Sequence, residues 1–265
     1  MNNLAATLRV RGDLEGAHKL QRQVLDARTR ILGGEHPRTL TTMNNLAETL
    51  SEQGDLEGAR KLYDQALDAQ TRILGGEHPN TLTSMGNLAA TLSLRGDLEG
   101  ARKLQKLVLD AFTRILGGDH PDTLKSMNNL AWTLHAQGDP EGARKLHEQV
   151  LDALTRILGG EHPDTLTAMS NLAATLSDQG DLERARKLNE QALDARIRIL
   201  GGEHPSTTGS AWNLFSTLQA QGKTERANTI LDQNLKWLLD RAPETLSHQQ
   251  RQVREQLEKL LPRPR

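Results

Sequence analysis

Residues 36–76 read HPRTLTTMNNLAETLSEQGDLEGARKLYDQALDAQTRILGG, and close copies of this stretch begin at His78, His120, His162 and His204. The glycines inside the unit recur at the same interval of 42 residues, at Gly12, Gly54, Gly96, Gly138, Gly180 and Gly222. The chain is therefore six copies of one unit. A period of this length predicts an architecture in which each unit packs only on its neighbours. Functional residues are then expected on an extended surface and not in a buried catalytic pocket.

The composition agrees with thin helical layers. Only 2% of the 265 residues are aromatic, and leucine and alanine at helical spacing supply the apolar surface. The 33 basic and 34 acidic residues are interspersed, so neither nucleic acid nor a membrane is an expected partner. The absence of cysteine excludes disulfides, thiol catalysis and thiolate metal sites. No secretory or membrane-spanning segment is evident, which predicts a cytoplasmic location.

Each unit contains two helical patterns separated by a short turn. In the first, helix A, Leu40, Met43, Ala47 and Leu50 form one apolar stripe over residues 38 to 52. The second, helix B, follows the turn Gln53-Gly54-Asp55 and ends at Gly75-Gly76, since glycine is favoured just past a helix end. Its apolar positions are Leu56, Ala59, Leu62, Ala66, Leu67, Ile73 and Leu74.

The start of helix B is placed by Pro140, which stands where the other units have leucine or threonine. Proline is favoured at the first helical position, so Asp139 is the predicted N-cap. By register the same role falls to Asp13, Asp55, Asp97 and Asp181. The segment His36-Pro37 and its copies are placed at the start of helix A by the same reasoning. We interpret these repeated residues as architectural.

The unit, with Asn-Leu-Ala in helix A, Gln-Gly-Asp at the turn and Glu-x-Ala-x-x-Leu in helix B, resembles the tetratricopeptide repeat (TPR). Its 42-residue length and Ile-Leu-Gly-Gly-Glu-His-Pro-x-Thr-Leu junction are similar to the longer repeats of kinesin light chains. The resemblance covers residues 1 to about 241. The unit departs from the shorter repeats at Met43, Leu50 and Leu62, where aromatic residues are common. This predicts smaller packing contacts between the helices.

The resemblance implies an all-α fold, an α-solenoid of stacked helix-turn-helix TPR units forming a right-handed superhelix. It also implies a concave groove, lined by the A helices, that binds an extended peptide or a partner helix. The expected partner is therefore a protein or peptide, and the expected function is that of a protein–protein interaction scaffold.

One asparagine recurs on the groove side of every helix A. This asparagine ladder consists of Asn3, Asn45, Asn87, Asn129, Asn171 and Asn213. An amide both donates and accepts hydrogen bonds, so the ladder could hold a peptide backbone, as asparagines at the matching place do in the resembled family. The alternative is that each asparagine bonds to a neighbouring repeat and sets the stacking angle. The sequence leaves both interpretations open.

The groove face of the fourth unit differs most from its copies. Lys125 replaces threonine, Trp132 stands where the other units have Ala, Glu or Ser, and His135 replaces the serine of the neighbouring units. Spacings of seven and three place these residues on one helix face with Asn128 and Asn129. We predict that this face contacts the bound peptide, since tryptophan often anchors interfaces. The alternative is that Trp132 fills a thin layer between helices. Trp212 in the sixth unit is a second candidate.

The two ends of the chain differ from the interior units. Phe215 takes a place held by alanine elsewhere, and the period stops after Pro243. We expect an array over residues 1–241 whose first unit is truncated, a capping helix over 242–261 and a tail over 262–265. The apolar face of the capping helix is Leu246, Val253, Leu257, Leu260 and Leu261. Its alternative role is to bind a partner, and the uncapped N-terminal end is expected to form a homo-oligomer.

Catalysis is not indicated. Junction histidines one unit apart are separated by two helix spacings, roughly 16–20 Å, so they cannot share a metal ion. Gly222-Lys223-Thr224 lacks the upstream glycine of a phosphate-binding loop, because position 217 is threonine. We therefore expect no catalytic residue, no metal and no cofactor, and a protein that is not an enzyme. The alternative function is a structural spacer or sensor arm of a larger multidomain signalling protein, with contacts made by its ends or convex face.

Overall fold

The computed structural model describes residues 2–260, apart from the side chains of Asn2, Asn3 and Val10. Leu261, the predicted tail 262–265 and the side chain of the predicted ladder residue Asn3 lie outside the described residues. Between residues 2 and 260 the chain is all-α, without strands. The predicted fold class, a solenoid of stacked helix pairs, is confirmed.

The helices alternate between the predicted A and B types. The A helices are α1 (Asn2–Val10), α3 (Pro37–Glu52), α5 (Pro79–Leu94), α7 (Pro121–Ala136), α9 (Pro163–Asp178) and α11 (Pro205–Ala220). The B helices are α2 (Leu14–Leu32), α4 (Leu56–Leu74), α6 (Leu98–Leu116), α8 (Pro140–Leu158) and α10 (Leu182–Leu200). The sixth B segment comprises α12 (Thr224–Ile230), a π-helical turn (Leu231–Leu235) and α13 (Trp237–Asp240), followed by a 3₁₀ turn (Pro243–Thr245) and α14 (His248–Leu260).

Both helix types begin at a side-chain cap. The Oδ1 atom of Asp55 accepts a hydrogen bond from the Gly58 N–H at 2.9 Å, and Asp13, Asp97, Asp139 and Asp181 cap their helices in the same way, as predicted. The A helices are capped by histidine, which the sequence did not indicate. The Nδ1 atom of His36 accepts from the Arg38 N–H at 3.1 Å, and the four later copies do so at 3.2 Å.

The described residues form two compact units, residues 2–138 and residues 139–260, here called the N-terminal and C-terminal units. Within each, consecutive helices pack on one another. One cluster of the N-terminal unit joins Leu46, Leu50 and Leu88 to Tyr63. In the C-terminal unit Phe215 packs with Leu235 and Leu257 in a larger cluster.

The buried side of helix A is wider than the predicted stripe. Leu40, Ala47 and Leu50 are buried and Met43 is half-buried, as the spacing indicates. Leu46 and the threonines Thr39, Thr42 and Thr49 are also buried in α3. The hydroxyls of Thr42 and Thr49 donate to the backbone carbonyls four residues earlier, at 2.9 and 3.1 Å. The Thr39 hydroxyl donates to the Gly33 carbonyl, just before α3, at 2.9 Å. Burial of these polar groups is tolerated because each hydroxyl is hydrogen-bonded.

The C-terminal end departs from the repeat in two ways. The sixth B segment is interrupted by the π-helical turn, where the Trp237 indole N–H donates to the Asn234 carbonyl at 3.0 Å. After it, α14 packs against α11 with Val253 and Leu257 buried, and Leu246, just before α14, is also buried. Leu260, expected on the same apolar face, is the last residue of α14 and is 59% exposed.

Candidate functional site

The exposed and half-buried side chains of the A helices form a surface that is here called the A-helix face. It includes every described residue of the predicted site. Lys125 and Trp132 are exposed on it, and Asn128, Asn129 and His135 are half-buried. The ladder residues Asn45, Asn87, Asn171 and Asn213 are also half-buried on their helices.

Within the N-terminal unit, some asparagines of this face already bond to other helices. The side chain of Asn87 is hydrogen-bonded to the hydroxyl of Tyr63 on α4, where burial raises the pKa of Tyr63. The Asn44 amide, next to the ladder residue of α3, donates to the Ser84 hydroxyl of α5 at 2.7 Å. The Asn87 contact joins neighbouring repeats, which is the kind of contact that the stacking interpretation of the ladder requires. Asn44 is not a ladder residue, and its contact does not distinguish the two interpretations.

The fourth A helix presents its unusual residues together. The rings of Trp132 and His135 meet edge to face, with centroids 6.2 Å apart and an angle of 78° between planes. Trp132 remains 42% exposed in this arrangement. Lys125 lies about two turns earlier on the same helix and is exposed. An exposed aromatic ring held by a neighbouring ring offers apolar area at little cost in side-chain entropy.

In the C-terminal unit the same face is hollow. A cavity of about 270 Å³ is lined by α9 and α11, with residues of α10 completing its wall. Ala174 and Ser216, which occupy the repeat position of Trp132, are among its lining residues, as are the ladder residue Asn213 and the buried Asn189. These two positions carry small side chains, whereas α7 carries tryptophan at the same position.

A column of buried polar residues follows the B helices, and the sequence analysis missed it. Its members are Gln21, Tyr63, Gln105, His147 and Asn189, each at most 5% exposed. In the C-terminal unit, His147 Nδ1 lies 2.9 Å from the Thr175 hydroxyl, and the Asn189 amide donates to the Thr217 hydroxyl at 3.1 Å. The available signal was a polar residue at the 42-residue interval within the apolar side of helix B.

Trp212, the second aromatic candidate, belongs to the interior of the C-terminal unit. Its ring lies 5.4 Å from that of Phe215, and it is half-buried against the cluster around Leu235 and Leu257. Trp212 and Trp132 therefore have different surroundings, and packing against the core accounts for much of the Trp212 ring.

Charged residues on the surface of each unit form ion pairs within that unit. On the A-helix face of the N-terminal unit, Arg9 lies 2.8 Å from Glu48 and 2.6 Å from Glu52. On the B helices, hydrogen bonds from Arg186 hold the pKa of Glu183 at about 2, well below its ordinary value. Glu183 also accepts from Gln221 and Lys223 at 3.3 and 3.4 Å, which joins the fifth repeat to the sixth.

A second apolar feature lies away from the A-helix face, at the C-terminal ends of the B helices. One isoleucine of each junction is exposed there. These residues, here called the junction isoleucines, are Ile31, Ile73, Ile115, Ile157 and Ile199. The sequence analysis assigned Ile73 to the apolar pattern of helix B, but 46% of its surface is accessible to water.

Among residues 2–260, no group of three His, Cys, Asp or Glu side chains is placed to hold a metal ion. Within the same residues, no helix combines the length and the apolar character needed to cross a membrane.

The A-helix and B-helix pattern is shared with known proteins. A protein with nearly identical TPR-like repeats of the kinesin light chain type, from Podosopora anserina, has 29% sequence identity over 74% of this chain and 93% of its own, with a TM-score of 0.67. The fold also matches BtubC (BKLC) from P. vanneervenii, with 19% identity, 95% coverage of both chains and a TM-score of 0.70. No curated protein sequence matches the chain.

The tetratricopeptide repeat model matches successive, overlapping stretches at residues 1–70, 48–112, 92–156, 136–198 and 171–236. Together these matches cover residues 1–236. The resemblance to the kinesin light chain variety of the repeat is supported by the solved structures above. The chain belongs to the tetratricopeptide repeat family.

Proposed function

We propose that this protein is an interaction scaffold whose A-helix face binds an extended peptide or a partner helix. Repeats of this family generally mediate protein–protein interaction and are typically non-enzymatic. The observation that carries the proposal is Trp132, a large aromatic side chain that is 42% exposed where the other units have Ala, Glu or Ser. Exposed aromatic residues of this kind are enriched among residues that dominate binding energy.

The roles of the neighbouring residues follow from their positions on α7. Trp132 supplies the apolar anchor, and the edge-to-face contact with His135 restricts its ring. Lys125 offers a cation to an acidic group of the partner. The amides of Asn128 and Asn129, together with the other ladder residues, supply donors and acceptors for the partner's backbone.

The proposal is tested with peptides selected against the purified protein from a random phage-displayed library. The binding of a fluorescein-labelled selected peptide is measured by fluorescence anisotropy for the wild type and for Trp132→Ala. We expect the variant to weaken binding about tenfold or more, because an anchoring tryptophan loses its contact area. Circular dichroism should show unchanged helicity, since much of the Trp132 side chain is exposed.

The matched control is Ile115→Ala, which removes a similarly exposed apolar side chain from α6 in the same unit. Its peptide affinity should equal that of the wild type. If the Trp132 variant binds as tightly as the wild type while remaining folded, the proposed use of this face is wrong.

A second candidate function is suggested by the junction isoleucines. They favour a spacer or sensor arm whose contacts are made away from the A-helix face, since exposed apolar residues that recur at each junction suit a partner surface. In that case Ile115→Ala would reduce association with the partner and Trp132→Ala would not. The same pair of variants therefore separates the two functions.

A further inference from the structure

The cavity of the C-terminal unit has a polar group that its own surroundings leave unsatisfied. Asn189 is only 2% exposed, and its Oδ1 atom has no hydrogen-bond partner among the described residues. Asn189 is also one of the residues that line the cavity between α9 and α11. A buried carbonyl oxygen without a donor carries a free-energy cost, which a bound group could remove by donating a hydrogen bond.

The orientation of the Asn189 amide follows from the bonds around Thr217. The Thr217 hydroxyl donates its one hydrogen to the Asn213 carbonyl at 2.8 Å. Toward Asn189 it can therefore only accept, so the atom 3.1 Å away must be the amide nitrogen Nδ2. The carbonyl oxygen Oδ1 is then the atom that remains available as an acceptor.

The other polar groups of the cavity suit the same kind of ligand. Asp178 contributes a carboxylate, and Ser177, Ser216 and Asn213 contribute oxygen acceptors. No lysine or arginine is among the described lining residues. Apolar surface comes from Ala174, Leu182 and Ala220. The lining of the cavity therefore combines an apolar wall with oxygen acceptors and one negative charge.

We propose that this cavity is a subsite for a lysine side chain of the bound peptide, with its aliphatic stem on the apolar wall and its ammonium near Asn189 and Asp178. An ammonium group is compact, has three donors and needs only acceptors, which the lining supplies. The proposal rests on the proposed function, since it assigns one side-chain preference to a partner of the A-helix face. It concerns the C-terminal unit alone and needs no residue of α7.

The test uses N-acetyl-lysine N-methylamide as the probe and N-acetyl-norleucine N-methylamide as the uncharged analogue. Binding is followed by the side-chain amide signals of Asn189 and Asn213 in ¹H–¹⁵N NMR spectra of the full chain. We expect the lysine probe to shift both signals saturably and the norleucine analogue to leave them in place. A glutamate analogue should also have no effect, because the carboxylate of Asp178 repels it.

Two variants and one control variant establish which side chains of the cavity bind the probe. Asn189→Leu, followed at the Asn213 amide signals, should weaken binding of the lysine probe about tenfold. The residue at the corresponding position of the sixth unit is the buried Leu231. Gln105→Leu, the matched change on α6, should leave the affinity for the probe unchanged. Asp178→Asn changes an exposed residue, so the variant should fold like the wild type. It should bind the lysine probe several-fold more weakly, and its affinity should depend less on salt concentration.

Equal shifts with the lysine and norleucine probes would overturn the subsite, as would undiminished binding to both Asn189→Leu and Asp178→Asn. These results are independent of the peptide assay on Trp132→Ala. A failed subsite with intact peptide binding leaves the scaffold function standing, whereas loss of the Trp132 effect removes that function without altering the NMR result.

Discussion

The A-helix faces of α7 and of α9 with α11 have the same repeat positions but opposite shapes. On α7, Trp132 projects from the surface with His135 against its ring. In the C-terminal unit, Ala174 and Ser216 stand at that repeat position, and a cavity of about 270 Å³ takes the place of the ring. The helices that carry these residues have equal lengths and equivalent caps.

The difference shows how one repeat can supply several kinds of contact. The helix lengths and caps are the same in both regions, so the difference in shape accompanies a difference in side chains and not a change of fold. In a solenoid each layer is stabilised by its neighbours, which leaves outward-facing positions free to vary. The following predictions test this comparison.

The largest effect on stability should come from Thr217→Val on α11. The variant leaves the buried Asn189 amide without its acceptor, at a cost of about 1–3 kcal/mol in the free energy of unfolding. The matched change on α7, Thr133→Val, removes a hydroxyl that lies 3.0 Å from the half-buried Ser93 and should cost less. Urea unfolding followed by circular dichroism measures both. Equal losses of unfolding free energy would contradict the expected difference between the buried hydroxyls of α11 and α7.

A tryptophan placed at the cavity of the C-terminal unit should give this unit the surface shape of α7. Ser216→Trp inserts an exposed aromatic side chain over the cavity, so the lysine probe should bind at least about tenfold more weakly, or about 1.4 kcal/mol. Ala90→Trp, at the same repeat position on α5, is the control and should leave probe binding unchanged. Retention of full probe affinity by Ser216→Trp would place the probe elsewhere on the protein.

The histidine caps should contribute equally to both regions. His120→Ala at the start of α7 and His162→Ala at the start of α9 each remove an acceptor that bonds an N–H at 3.2 Å. Each variant should lose about 1 kcal/mol of unfolding free energy in urea titrations. A cost at one helix only would mean that the backbone frames of the two regions are not equivalent in stability.

The smallest effect should come from the charge pairs on the B helices. Because Arg186 lowers the pKa of Glu183 to about 2, ionised Glu183 stabilises the fold above its ordinary pKa, and that contribution is lost as the pH falls through about 2. Glu183→Gln should therefore melt slightly below the wild type at neutral pH, with the difference vanishing near pH 2. Thermal melts across this range measure it, with Glu99→Gln on α6 as the comparison. A difference that persists at pH 2 would contradict an ionic origin.

Local signals in the sequence predicted much of the frame. The spacing of Leu40, Met43 and Ala47 placed helix A within one residue of the observed start, and Pro140 located the aspartate caps of helix B. These features depend on residues within a few positions of one another. The histidine caps were not predicted because histidine is not a usual N-cap residue. The π-helical turn was not predicted because it contains no glycine or proline.

The buried polar column and the cavity were not predictable in the same way. Asn189 meets Thr217 across 28 positions of sequence, and the cavity requires α9 and α11 to lie side by side. Whether both polar atoms of the Asn189 amide are hydrogen-bonded depends on the direction in which the Thr217 hydroxyl donates. Likewise, nothing in the local pattern distinguishes the packed Trp212 from the exposed Trp132.

By itself, the sequence determined the repeat, the positions of the regular helices, the aspartate caps of the B helices and the unit in which the A-helix face departs from its copies. Helix periodicity and capping act over a few residues, so they can be read from one copy and checked against the next. Only the tertiary structure decided which polar groups are buried, which tryptophan is exposed and where space remains between helices. Those properties arise from contacts between repeats, and their physical basis is the packing of side chains that are 28 to 42 residues apart in the chain.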